Sequence, residues 1–289
     1  MTIRRFAQVD VFSATPQFGN ALAVVVDGDG LSDEQMQVFA RWTNLAETTF
    51  LQKPTNADAD YKVRIFTPSR EMPFAGHPTL GSCAAWLDSG GKPKNPATVI
   101  QECNIGLVSV EQSGKVPAFI APPTSIETMQ APTFTKILDA FGLQESNIVN
   151  YAQLDNGPIW QVFELDSAAT VLSLESSKVR WSDFGAIGFI GFCGSHPPAE
   201  AGTSIEQPDF EVRMLAPSSG MSEDPITGSL NAALAKWLHK QGRLEQDLLI
   251  AQGTRIGRNG RVFVSRKNAS DDILIGGQSH ILIRGEVSI

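Results

Sequence analysis

Apolar and polar residues alternate in short runs along both halves of the chain. An alternation of period two is typical of a strand with one buried face. It predicts strands at QVDVF, ALAVVV and KVRIFT in the first half and at IWQVFEL, FEVRMLA and RVFVSR in the second. Ser32 to Gln35 matches a capping box and predicts the start of the helix SDEQMQVFARW. The pattern as a whole predicts an α+β fold.

A second helix in each half is predicted to begin at a proline, in PTLGSCAAWL and in PITGSLNAALAKWLHK. Proline suits the first helical position because its φ already fits and its missing N–H would have no partner there. The residue before it, His77 in one half and Asp224 in the other, is then the predicted N-cap. Asp is an ordinary cap and His a poor one, so helix stability alone does not account for His77. In the later helix, helical spacing predicts a buried stripe of Leu230, Leu234, Trp237 and Leu238.

The chain also repeats itself. VRIFTPSREMPFAGHPTLGSCAAWL at 63–87 and VRMLAPSSGMSEDPITGSLNAALAKWL at 212–238 share Val-Arg, Pro-Ser, a residue before proline, and Gly-Ser in the same order. Gln101 and Gln252 follow, each ahead of an Ile-Gly pair and an alternating run. The common order indicates a gene duplication in which His77 corresponds to Asp224. The proline-rich stretch 121–133 is the predicted linker, which places the two halves at 1–122 and 130–277.

Composition restricts the class of protein. A chain of 289 residues with 42 % hydrophobic residues suits two ordinary domains with packed cores. The net charge of −8 repels phosphate backbones and argues against a nucleic-acid partner. Three cysteines without Cys-x-x-Cys spacing argue against a disulfide framework. Asp10 interrupts the apolar run that a signal peptide needs, and the apolar stretch 184–194 is too short to span a bilayer. We therefore expect a soluble, cytoplasmic protein without a membrane partner.

The two proline-preceded helix starts are candidate anion sites. Small residues follow His77 and Asp224, so the free amides of the first turn stay accessible to a ligand. We expect a substrate carboxylate to bind at Gly76-His77 and at Gly228-Ser229, in a cleft between the halves. Histidine and cysteine show no metal-ligand spacing, and neither G-x-G-x-x-G after a strand nor G-x-S-x-G occurs. The expected ligand is a small acidic molecule, with no metal and no cofactor.

Glu47 is the candidate general base. It lies in NLAETTF, where the first helix gives way to an apolar strand. Burial of a carboxylate among apolar neighbours makes it a better base near neutral pH. A partly exposed surface glutamate is the alternative interpretation. The pattern leaves both open.

A series of short motifs resembles the phenazine-biosynthesis PhzF-like family, whose members share the diaminopimelate-epimerase fold. The resemblance covers essentially the whole chain and is carried by Val9-Asp10-Val11-Phe12, Gly19-Asn20, Asn44-Leu45-Ala46-Glu47-Thr48, Phe66-Thr67-Pro68, Gly76-His77-Pro78-Thr79, Glu223-Asp224-Pro225-Ile226-Thr227-Gly228-Ser229, Gln252-Gly253, Gly257-Arg258 and Gly276-Gly277-Gln278. It implies two pseudo-symmetric domains, each a β-barrel-like sheet wrapped around a central helix. It further implies that a C-terminal strand at about 278–289 returns to the first domain.

The resemblance also implies a chemistry. Family members are similar to cofactor-independent isomerases in which the acid at the Glu47 position moves a proton on a small cyclic hydroxy-amino acid. In the phenazine pathway that substrate is trans-2,3-dihydro-3-hydroxyanthranilate. The resemblance places His77, Asp224 and Ser229 around the substrate and favours a homodimer. Thiol-based relatives of the fold have a cysteine at each helix start, which this chain lacks, since Cys83 falls inside the helix.

Two alternatives stay open at this point. One is epimerisation or tautomerisation of another small acid. The other is a metabolite-binding protein that kept the fold without catalysis. The joint presence of Glu47, His77 and Asp224 favours an enzyme. Cys103 and His196 have no predicted role.

Overall fold

The computed structural model describes residues 2–175, 185–194, 207–216, 221–267 and 272–289. His196 and the Pro217-Ser218 part of the repeat fall outside these residues. The helices are α1 Asp33–Thr43, α2 Gly76–Asp88, α3 Ala131–Phe141, α4 Ala168–Ser173 and α5 Gly228–Lys240. The strands are β1 Ile3–Val11, β2 Asn20–Val25, β3 Glu47–Gln52, β4 Tyr61–Phe66, β5 Glu71–Met72, β6 Thr98–Cys103, β7 Gly106–Glu111, β8 Ala118–Ile120, β9 Ser125–Glu127, β10 Ile148–Asp155, β11 Ile159–Leu165, β12 Ala186–Phe192, β13 Phe210–Ala216, β14 Met221–Asp224, β15 Leu248–Gln252, β16 Gly260–Arg266, β17 Ile273–Gly276 and β18 Ser279–Ser288.

The chain divides into two compact units. The first unit comprises Met1–Ile120 and Leu274–Ile289, and the second comprises Ala121–Ile273. Each unit contains one long buried helix, α2 in the first and α5 in the second.

In the first unit the strands form a continuous series of pairs. β18 and β2 flank β1, both antiparallel to it, and β2 continues in parallel to β3. β3 pairs with β4, β4 with β6, β6 with β7 and β7 with β8, and β17 completes the series on β8. The strands surround α2, which contacts β1, β2, β3, β4, β6, β7, β8 and β18. Every residue of α2 from Gly76 to Cys83 is buried, as the low polarity of this helix requires.

The second unit repeats this order of pairings. β10–β11 corresponds to β1–β2, β11–β12 to β2–β3, and β12–β13 to β3–β4, with the same antiparallel or parallel sense in each case. β13–β15 and β15–β16 correspond to β4–β6 and β6–β7. The predicted stripe of α5, formed by Leu230, Leu234, Trp237 and Leu238, is buried. The structure thus confirms the α+β fold class and the internal duplication.

The predicted N-caps of the two buried helices are wrong. α2 begins one residue before His77, because Ala75 is extended and its carbonyl accepts from the Thr79 N–H. Pro78 then lies in the first turn, where a missing N–H costs little. α5 begins after Asp224, because Thr227 is its N-cap and accepts from the Asn231 N–H. His77 is therefore the second helical residue of α2, and Asp224 ends a strand.

Other local predictions compare as follows. The capping box at Ser32 and Gln35 is confirmed, with both reciprocal hydrogen bonds present at the start of α1. The stretch 121–133, predicted as a linker, contains β9 and the first turn of α3. β9 pairs with β10, so this stretch is part of the second unit's sheet. A short strand with one partner does not stand out from a proline-rich sequence.

Candidate active site

Glu47 is the first residue of β3 in the first unit. It pairs with Leu22 of the neighbouring parallel strand, and apolar or buried residues follow it along β3. Its side chain keeps 17 % of its surface accessible, so a carboxylate at the sheet end is shielded and still reachable by a small molecule. The position follows from sequence, since the strand begins where the left-handed Asn44 ends α1.

His77 meets this carboxylate from the buried helix α2. Its Nε2 lies 3.3 Å from Oε2 of Glu47, a close contact whose angle is not that of a hydrogen bond. Burial lowers the pKa of His77 to about 3, because the charged imidazolium loses its hydration inside the unit. At neutral pH the contact is therefore between a neutral imidazole and the carboxyl group of Glu47.

Asn20 touches the other nitrogen of the same ring. Its Nδ2 lies 3.4 Å from Nδ1 of His77, and both side chains are buried. Asn20 begins β2, next to Gly19, whose N–H donates to both carboxylate oxygens of the buried Asp10 at 2.9 and 3.0 Å. A buried polar network thus runs from Asp10 through the β1–β2 turn to His77 and Glu47.

The start of α2 offers open amides beside these side chains. The side chain of Ala75 cannot cap the helix, and Pro78 has no N–H. The N–H groups of the first turn that have no carbonyl acceptor within the helix are therefore those of Gly76 and His77. A helix N-terminus attracts an anion through such amides and the helix dipole. The ring of His77 therefore faces Glu47, and its backbone N–H is one of the uncapped groups at the N-terminus of α2.

Thr79 and Gln101 hold the first turn of α2 in place. Nε2 of Gln101 donates to Oγ1 of Thr79 at 3.2 Å, and Oε1 of Gln101 accepts from the Tyr61 hydroxyl at 2.8 Å. All three side chains are buried. The second unit has the matching contact, in which Asn231 donates to Oε1 of Gln252 at 2.7 Å. The paired glutamines noticed in the repeat therefore support the helix starts.

Asp224, Gly228 and Ser229 lie together at the start of α5 in the second unit. Asp224 ends β14, and its Oδ2 accepts a hydrogen bond from the Thr227 hydroxyl. Thr227 makes no side-chain cap to the helix, so Gly228 and Ser229 carry open amides in the first turn. Gln252 accepts from the Thr227 N–H at 3.1 Å and fixes the turn that precedes the helix.

Contacts that occur in both copies align the copies more securely than sequence identity does. Each copy has a bidentate Arg–Glu pair between two neighbouring strands, Arg64 of β4 with Glu71 of β5 and Arg213 of β13 with Glu223 of β14. Each glutamate precedes its buried helix by the same five residues, so Gly76 corresponds to Gly228. His77 therefore corresponds to Ser229, and the expected correspondence between His77 and Asp224 is wrong. The Gly-Ser match that suggested it falls in different turns of the two helices.

The same alignment shows that the copies differ at the candidate base. Glu47 and Ala186 each begin the third strand of their copy and are each the first residue to pair with the preceding parallel strand. The second copy thus has a methyl group where the first has a carboxylate, and a hydroxyl where the first has an imidazole. Glu47 and His77 form a dyad that occurs in the first unit and has no counterpart at the matching positions.

Sequence reasoning missed the supporting residues Asn20, Asp10 and Thr79. A polar residue that opens the otherwise apolar strand ALAVVV was a usable signal for Asn20.

Cys83 is buried inside α2, and burial raises the pKa of its thiol to about 12, so it is not a reactive thiolate. Across the described ranges, no three histidine, cysteine, aspartate or glutamate side chains are grouped so as to hold a metal ion. Within those ranges, no helix is both long and apolar enough to cross a membrane.

A sheet wrapped around a buried helix, twice in one chain, defines the diaminopimelate-epimerase-like class of fold. A family profile described as "Phenazine biosynthesis-like protein" matches residues 9–285. The chain is 36 % identical over 306 residues to "Antisense-enhancing sequence 1" of Schizosaccharomyces pombe, with 99 % of each chain covered. It is 34 % identical over 278 residues to trans-2,3-dihydro-3-hydroxyanthranilate isomerase of Pseudomonas aeruginosa, covering 94 % of this chain and 93 % of the relative.

Among solved structures, a PhzF-family phenazine biosynthesis protein of Bacillus anthracis superposes with a TM-score of 0.81 at 22 % identity and full coverage of both chains. At that identity the likeness supports the fold alone. The family profile and the full-length relatives go further. The chain belongs to the phenazine biosynthesis-like family and is an isomerase of that family.

Proposed function

We propose that this isomerase moves a proton on a small cyclic or amino-acid-like carboxylate, without a cofactor, and that Glu47 is its general acid and base. The observation that carries the proposal is the dyad itself. A carboxylate at a strand start lies 3.3 Å from the ring of a buried, neutral histidine whose backbone N–H belongs to an uncapped helix start. His77 thus contacts the acid–base group through its ring and belongs to the candidate anion site through its backbone N–H.

The reaction would proceed by transfer and return of one proton. The substrate carboxylate binds the amides of Gly76 and His77, which fixes the reacting carbon near Glu47. Glu47 takes a proton from that carbon, and its protonated form returns the proton at another carbon of the conjugated system. His77, neutral, lies against the carboxyl group of Glu47 and orients it. No net proton is consumed.

We also propose that Asp224, Gly228 and Ser229 take part in recognition of the substrate. Gly228 and Ser229 offer amides of the same type as Gly76 and His77, and Asp224 offers an acceptor suited to an amine. This assignment is testable by Asp224→Asn, which should raise KM for an amino acid-like substrate more than for its deamino analogue.

The first substrate to test is trans-2,3-dihydro-3-hydroxyanthranilate, because a relative named as the isomerase of this compound is similar over 94 % of this chain. The protein would be incubated with it in deuterated water and the carbon-bound protons followed by NMR. The protonated carboxyl group of Glu47 is partly exposed and exchanges with solvent before it returns the proton, so we expect isomerisation with uptake of deuterium. Exchange without isomerisation would favour an epimerase or tautomerase of a related acid. If neither exchange nor isomerisation is seen, a metabolite-binding role is favoured.

Glu47→Gln tests the proposed base in the same assay. The amide keeps the shape of the side chain but cannot take the proton, so the rate should fall by about 10²–10⁴-fold. The matched control is Glu286→Gln, the same change on an exposed position of β18 in the same unit. An unchanged rate in Glu47→Gln would remove Glu47 from the role.

A further inference from the structure

The two nitrogens of the His77 ring have different partners, and these decide where its proton lies. Nδ2 of Asn20 lies 3.4 Å from Nδ1 of His77. With the Asn20 amide assigned in this orientation its NH₂ group faces Nδ1, and because an NH₂ group only donates hydrogen bonds, Nδ1 is the acceptor. In a neutral imidazole the other nitrogen then carries the hydrogen. That nitrogen, Nε2, is the one 3.3 Å from Oε2 of Glu47.

We propose that Asn20 is a positioning residue that fixes the Nε2–H tautomer of His77 and so places an N–H group, rather than a lone pair, beside the carboxylate of Glu47. With the opposite tautomer, the Nε2 lone pair would lie against a carboxylate oxygen, and the dyad would hold together only if Glu47 were protonated. An N–H group beside a carboxylate favours its ionised form, which is the form that a base requires. The catalytic consequence rests on the proposed function, whereas the tautomer does not.

The fold fixes Asn20 in place for this task. Asn20 pairs with Val11 in the β1–β2 ladder, and the preceding Gly19 N–H is bound by both oxygens of Asp10. A side chain at position 19 would bring Cβ within 2.3 Å of the Val11 carbonyl oxygen, so glycine is required for this close approach. The amide of Asn20 consequently has little freedom to move away from the ring.

The second unit supplies an internal comparison. There the position of Glu47 is held by Ala186 and that of His77 by Ser229. Without an acid and an imidazole, no tautomer needs to be selected. The amide–imidazole contact occurs in the copy that has the carboxylate, as expected of a device that serves the carboxylate.

The tautomer can be read directly by NMR. Long-range ¹H–¹⁵N correlations of uniformly ¹⁵N-labelled protein distinguish the protonated from the unprotonated ring nitrogen, and His77→Gln assigns the signals among the four histidines. We expect Nε2–H in the wild type. Glu47→Gln is the informative background, because its amide can donate or accept and has no preference. The proposal requires that His77 stay Nε2–H in Glu47→Gln.

The inverse change completes this test. In the Glu47→Gln/Asn20→Asp double variant, a carboxylate accepts at Nδ1, so the ring should switch to Nδ1–H. Asn150→Asp in the Glu47→Gln background adds the same charge on a strand of the second unit and should leave the ring as Nε2–H. Nδ1–H in the wild type or in Glu47→Gln, or an unswitched ring in the double variant, would overturn the proposal.

Turnover gives a second, separable readout. Asn20→Ala should lower kcat by roughly 10²-fold with little change in KM, because the His77 ring loses the contact at Nδ1 that holds it beside Glu47 while substrate contacts remain. Full kcat in Asn20→Ala would contradict a positioning role. If the wild type turns over no substrate, the proposed function fails while the NMR result still decides the tautomer.

Discussion

At the scale of single residues, the main consequence of burying His77 is a dependence of stability on pH. Its pKa in the folded protein, about 3, lies below the ordinary value of 6.5. Between these values the unfolded chain binds a proton that the folded chain does not, so stability is complete above about pH 6.5 and falls as the pH drops toward 3. The folded site keeps a neutral ring at the expense of stability in acid.

His77→Gln should remove this dependence. From the two pKa values, His77 alone accounts for a loss of about 2 kcal/mol between neutral pH and about pH 5. Urea unfolding at both pH values would measure the difference for the wild type and the variant. His239→Gln, at a partly exposed ring in the last turn of α5, is the control and should keep the wild-type difference. An equal difference in His77→Gln would show that the ring is not held neutral by burial.

How far the sequence predicted the candidate site can also be seen at this scale. Glu47 and His77 were found because each violates a local expectation, a carboxylate at the start of an apolar strand and a poor cap before a proline. Their contact was not predictable from spacing, because thirty residues and two strands separate them in the chain. Asn20 was missed since its partner lies in another element, and local patterns carry no record of such a contact.

At the scale of elements, alternation located strands well and capping rules located helix starts poorly. Six predicted runs lie in β1, β2, β4, β11, β13 and β16, because a half-buried strand must alternate. The starts of α2 and α5 departed from the proline rule because tertiary contacts decide them. Gln101 and Gln252 hold the first turns from neighbouring strands, so no capping side chain is needed there.

The duplicated Arg–Glu pairs allow a matched test of burial. Arg213 and Glu223 have 1 % of their side-chain surface exposed, whereas Arg64 and Glu71 have 17 % and 26 %. Arg213 also donates to the carbonyls of Val171 and Leu174 at the end of α4, so it cannot leave its place. The same chemical pair thus occurs once in the interior and once near solvent.

Removing one partner should therefore cost different amounts in the two copies. Glu223→Gln leaves a buried guanidinium without its counter-charge and should lower the free energy of unfolding by about 3–5 kcal/mol. Glu71→Gln leaves Arg64 hydrated and still bound to Asp33, so the loss should be about 0–1 kcal/mol. Urea denaturation of both variants gives the comparison. Equal losses would mean that burial does not decide the strength of this pair.

At the scale of the whole molecule, the chain ends where it begins. β18 pairs with β1 along its whole length, from Ile3 with Ser288 to Val11 with Ser279, and the backbones of Thr2 and Ile289 bond to each other. Val287 and Ile289 pack against the apolar cluster of the first unit that contains Met36 and Phe50. The unit that carries Glu47 and His77 is thus completed by residues 279–289.

A chain that stops at Gln278 should consequently lose the structure of its first unit. β1 would have one exposed edge, and the cluster beneath α1 would lose two apolar side chains, so the ladder next to Asn20 would no longer be held on both sides. Hydrogen exchange followed by mass spectrometry should show faster exchange in β1 and β2, with β10 and β11 as the internal reference. Wild-type protection of β1 and β2 in the truncated chain would instead mean that the remaining strands suffice to hold Asn20 and His77 in place.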